Sequence, residues 1–125
     1  MINSEALITK FPQDKETVKR LINIIADEKG SAQQREFPLK RLFDRTSPRS
    51  EIALAQILSY LVNIGDLQLI FRVESPNNGG LADFSSLMDI PEIVHDWRRD
   101  IDMCVTLDDI SVLYKVISDL DNSSL

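Results

Sequence analysis

The chain is poor in the residues that usually do chemistry. Its 125 residues include one cysteine, Cys104, and one histidine, His95. A single cysteine excludes an intrachain disulfide framework and fits a reducing compartment, so the expected location is the cytoplasm. One His and one Cys are a thin start for a zinc site, which needs several converging ligands. No metal or cofactor is expected. Asn78-Gly79-Gly80 lacks the lysine and the following Ser/Thr of a phosphate loop. No apolar run nears the ~18 residues of a membrane span. The first ten residues lack the basic-then-apolar order of a secretion signal, so no membrane role is expected. Neither an internal repeat nor a low-complexity tract is present.

What remains is an ordinary globular composition, 43% hydrophobic and 27% charged. A chain of this length buries about two-thirds of its unfolded surface, which suffices for a core without staples. The expectation is one domain over 1–125. Its net charge of −6 is uneven. Residues 1–65 carry ten Lys/Arg against eight Asp/Glu, and residues 66–125 carry four against twelve. The acidic half repels phosphate backbones and suits a basic protein partner.

Periodicity divides the chain into a helical part, 14–64, and a strand part, 66–74 and 101–117, with an insertion at 75–100. Ser4 can cap a short first turn that Pro12 limits. From Asp14, a candidate cap, Val18, Leu21, Ile22 and Ile25 recur on one helical face, and Gly30 follows the last turn. Residues 29–36 read as a polar loop. Pro38 suits the first position of a short helix to Asp44, with Leu39, Leu42 and Phe43 on its apolar side. Ser47-Pro48 predicts the start of a third helix running to about Ile64, with Leu54, Ile57, Leu58 and Leu61 as its stripe.

The period then changes to two. Leu67, Leu69, Phe71 and Val73 predict a half-buried strand, with Ile70 the exception. Ser75 to Gly80 is turn-rich. Pro91 is expected to open a short helix through Asp96. Two alternating strands, 101–106 and 110–117, are expected to form a hairpin across Thr106-Leu107-Asp108-Asp109. The tail, 119–125, is polar and expected to fray.

The stretch Ile52 to Leu67 ends a leucine-rich helix in Gly65-Asp66-Leu67 and passes straight into an alternating strand. This resembles the third helix and first wing strand of winged helix-turn-helix domains. The resemblance covers about 14–74, with the last strands as wing partners. It implies an α+β fold, a three-helix body followed by a small antiparallel sheet with a long insertion. In DNA-reading members the third helix enters the major groove. Here that helix has one cation, Arg49, in its first turn, and Lys40, Arg41 and Arg45 lie just upstream. These four are the DNA-contacting candidates, acting in a homodimer that doubles a weak positive patch. The acidic second half disfavours nucleic acid as the partner.

The favoured expectation is therefore a non-enzymatic adaptor or accessory subunit that docks a larger, basic protein through residues 81–100. Phe84, Leu87, Met88 and Trp97 are residue types that anchor interfaces, and Asp89 and Asp100 belong to an acidic rim. Two enzymatic alternatives are weaker. His95 and Asp96, with Asp100, Asp102 and Cys104 nearby, could serve as base or ligands. His95 with Cys104 could form a nucleophile–base pair, but no orienting third residue accompanies them.

Overall fold

A computed structural model describes residues 4–27, 36–76 and 79–117. Gly30, Asn77-Asn78 and the tail lie outside them. Among these residues four helices, α1 (Ser4–Lys10), α2 (Lys15–Asp27), α3 (Leu39–Thr46) and α4 (Glu51–Asn63), accompany six strands. The strands are β1 (Glu36–Pro38), β2 (Leu67–Ser75), β3 (Gly79–Phe84), β4 (Ile93–Asp96), β5 (Ile101–Cys104) and β6 (Ile110–Val116). Strands β1, β6, β2 and β3 hydrogen-bond in that order, and β4 pairs with β5 in a separate ribbon. The fold is α+β.

The chain divides into two compact units, Met1–Gln68 with Tyr114–Leu125, and Leu69–Leu113. In the first, α1 to α4 surround an apolar core. Val18, Leu21, Ile57 and Leu58 have no exposed surface. Burying each such side chain is worth roughly 1.5–3 kcal/mol. Asp14 directly precedes α2 at the end of the 3-10 turn Pro12–Asp14, where it is buried and accepts from Arg49 Nε at 2.8 Å. Pro38 is the last residue of β1 and lies just before α3 rather than inside it. The position suits it, because β1 is a sheet edge, where a missing N–H is tolerated.

The third expected helix, α4, begins later than the sequence suggested. Ser47 has φ 47° and ends α3, while Ser50 Oγ accepts from Ala53 N at 3.0 Å and caps α4. The far end of α4 closes in a Schellman motif: Asp66 N–H donates to Leu61 O, and Gly65 N–H to Val62 O. Gly65 has φ 87°, a region open to glycine at little cost.

The second unit departs most from expectation. Ile93–Asp96 is a strand, not a helix opened by Pro91. Its β-branched Ile93 and Val94 are paired across the ribbon with Cys104 and Met103. Nor do 101–106 and 110–117 form a hairpin: β5 pairs with β4, and β6 lies between β1 and β2. The segment between them is a 3-10 turn, Leu107–Asp109, closed by a Thr106–Asp109 capping box. The insertion also supplies β3, antiparallel to β2, with a bulge where the register moves from Val73↔Ala82 to Glu74↔Gly80. In β2 the buried positions are Leu67, Ile70, Val73 and Ser75, so the expected exception, Ile70, is core, and Leu69 and Phe71 are half-buried.

Candidate functional site

The ladder fixes which side chains of the β4–β5 ribbon share a face. Pairing Ile93↔Cys104 and His95↔Asp102 sets one face, and Val94↔Met103 and Asp96↔Ile101 the other. On the second face Asp96 and Met103 are buried. On the first, Ile93, His95, Asp102 and Cys104 are all exposed.

Asp96 organises the turn that follows it. Its Oδ1 accepts from the backbone N–H of Arg98 and of Arg99, at 3.0 and 3.1 Å. Its Oδ2 accepts from Arg99 Nε and from the Ser75 hydroxyl, each at 2.5 Å. Burial alone would raise the Asp96 pKa. The bonds from Ser75, the Arg99 side chain and the two amides outweigh that and hold it at about 2, below the ordinary 3.8. Arg98 stacks on the Trp97 ring, 4.3 Å from its centroid, and donates to Gly80 O at 3.3 Å. Arg72 pairs across the β2–β3 ladder with Asp83, at 2.7 and 3.0 Å. A Cβ on Gly80 would lie 2.9 Å from Arg72 Cδ, so glycine leaves room for that arginine to lie flat. Thus all three arginines of the second unit are engaged within it.

His95 is held on both ring nitrogens. Nδ1 lies 2.8 Å from Asp102 Oδ1, and Nε2 lies 3.3 Å from Asp100 Oδ1. The hydrogen bond to Asp102 is the largest cause of a pKa raised above 6.5; desolvation opposes it, and the charges of Asp102 and Asp100 add to it. Both ring nitrogens thus face carboxylates rather than the Cys104 thiol. Among the described residues no group of three or more His, Cys, Asp or Glu could hold a metal ion.

The expected docking residues fall on two segments. Trp97 and Asp100 share the ribbon turn, and both are exposed, Trp97 by 58%. Leu87 and Asp89 share the exposed 3-10 turn Leu87–Asp89, where Ser86 Oγ accepts from Met88 N. Phe84 is half-buried, opposite Phe71 in the ladder. Met88, an anchor candidate by residue type, is exposed as well, and pattern reading missed Ile93, Ile101 and Leu107, which are also exposed. Ile93 and Ile101 alternate with Val94 and Asp102, and only the ladder tells the two faces apart.

The candidates for DNA contact lie in the first unit. Lys40, Arg41 and Arg45 are exposed on α3, with Arg41 over the Phe37 ring at 5.6 Å. Arg49 holds Asp14 instead of standing free. The exposed side of α4 presents Glu51, Ile52, Ala55, Gln56, Ser59 and Asn63, and no cation. An open depression of about 460 Å³ runs along it, with Lys10, Phe11 and Tyr60 at its edge.

No family model matches the chain, and neither a curated protein nor a solved structure does.

Proposed function

We propose that the chain is a non-enzymatic protein-binding module of the cytoplasm, with a winged-helix-like body, that docks a larger basic protein through the acidic and apolar insertion. The observation that carries this reading is the surface of the second unit. Six of the eight large hydrophobic side chains exposed among the described residues lie there: Leu87, Met88, Ile93, Trp97, Ile101 and Leu107. The same unit has three Lys/Arg against nine Asp/Glu. Apolar anchors in an acidic setting complement a basic, partly apolar surface. The Trp97 turn is already ordered by Asp96, so docking there loses little conformational freedom.

Duplex recognition by a homodimer through Lys40, Arg41, Arg45 and Arg49 has weaker support, because Arg49 is committed to Asp14 and the exposed side of α4 has no cation. The test is capture of partners from the native host by the immobilised full chain at low salt. Wild type is compared with Trp97→Ala, and the eluate is analysed for protein and for nucleic acid. The expected result is a stoichiometric basic protein that raised salt releases and Trp97→Ala loses. Nucleic acid without protein, retained by Trp97→Ala and lost by Arg45→Ala, would overturn the reading.

A further inference from the structure

The single histidine sits where a proton decides a geometry. A neutral imidazole has one N–H and can satisfy one carboxylate; the doubly protonated ring donates to two. The pair of contacts at 2.8 Å to Asp102 and 3.3 Å to Asp100 needs both protons. Asp102 is the cross-strand partner of His95 and is fixed by the ladder. Asp100 belongs to the turn and has φ 54°, a left-handed conformation that non-glycine residues adopt rarely, and Asp more readily than most. Its carboxylate is highly exposed, and the imidazole is the partner that faces it.

We propose that His95 is a pH-operated latch on the Trp97–Asp100 turn: its imidazolium ties Asp100 to the ribbon, and loss of the Nε2 proton releases it. The closer Asp102 contact retains the remaining proton on Nδ1. The Nε2 lone pair then faces Asp100 Oδ1, and attraction becomes repulsion. Around the ring, β5 presents Asp102 and, two residues on, Cys104; the turn presents Asp100. Arg98 and Arg99 are drawn elsewhere, to Trp97 with Gly80 and to Asp96. His95 is itself half-exposed, so it follows the solvent pH. Its pKa is raised, so the latch is closed well below neutrality and opens as pH rises through the folded value.

The latch is a property of the free protein and does not depend on the docking reading. Because the chain has one histidine, proton NMR of the full chain follows His95 without assignment ambiguity. The expected result is a midpoint above 6.5 that falls in Asp102→Asn and in Asp100→Asn. The backbone amide shifts of Arg98 to Ile101 should move with the wild-type midpoint and lose that transition in His95→Gln. A midpoint at or below 6.5 would overturn the proposal. So would turn amides that ignore the His95 titration, or an Asp100→Asn variant with the wild-type midpoint.

Discussion

The two compact units of this chain are held together by different means. Among the described residues, fifteen of the nineteen buried apolar ones belong to the unit that contains the four helices, and four, Ile70, Val73, Met103 and Leu113, belong to the other. The second unit relies instead on polar contacts: Asp96 with Ser75, Arg98 and Arg99; Arg72 with Asp83; His95 with Asp100 and Asp102; and Ser111 with Glu74. The same contrast governs the surfaces. A unit that buries little apolar surface leaves more of it outside, and among the described residues six large hydrophobic ones stand exposed there against two, Ile52 and Ile64, in the helical unit. An apolar core gives stability without direction. A lattice of directed polar bonds can hold a turn in one shape and leave its tryptophan in water.

The contrast can be broken most severely in the helical core. Leu58 has no exposed surface, so Leu58→Ala should destabilise the chain by about 2–5 kcal/mol in urea denaturation. A loss below ~1 kcal/mol would mean that this core is not the source of stability. Next comes Asp96→Ala, which leaves the Ser75 hydroxyl, Arg99 and two backbone amides without their acceptor. Hydrogen exchange should speed up at Arg98 and Arg99, while Leu58 and Leu61 amides stay protected. Uniform acceleration would show that the units are not separable in this way.

Acid should act on the same carboxylate. The pKa of Asp96 is depressed, so its contribution is fully present above about 3.8 and is lost as pH falls through about 2. Amide shifts of the ribbon turn should therefore change in that window, and in Asp96→Asn that transition should vanish. A smaller effect belongs to Gly65, whose φ of 87° makes Gly65→Ala cost about 1–2 kcal/mol in thermal or urea unfolding. The least effect on stability is expected at Trp97. With 58% of it exposed, Trp97→Ala should change stability by no more than about 0.5 kcal/mol while abolishing docking. Unfolding of that variant would make Trp97 a core residue and remove it from the surface.

How much could be read in advance differs between the units for the same reason. The helical unit announces itself through period: Leu54, Ile57, Leu58 and Leu61 mark α4, and Gly65 marks its end. What was missed there was local, because Ser47 and Ser50 are both plausible caps and only backbone geometry separates them. The second unit is set by pairing between distant segments. Ile93–Asp96 is too short to declare a period, and Pro91 before it suggested a helix. Its strand character comes from residues 101–104, across the ribbon. The docking candidates Leu87, Asp89, Trp97 and Asp100 were legible as residue types and are exposed. The clamp on His95 and the burial of Asp96 were not legible, since neighbours in sequence end on opposite faces of a ribbon.

The proposed role of Trp97 as an interface anchor has a direct probe, because Trp97 is the only tryptophan of the chain. The measurement is tryptophan emission and acrylamide quenching of the free protein, repeated in complex with the basic protein recovered by capture, with that protein's own signal subtracted. Red-shifted, readily quenched emission is expected in the free chain, and a blue shift with loss of quenching on binding. Emission already blue and shielded in the free chain, or unchanged by a bound partner, would contradict that role.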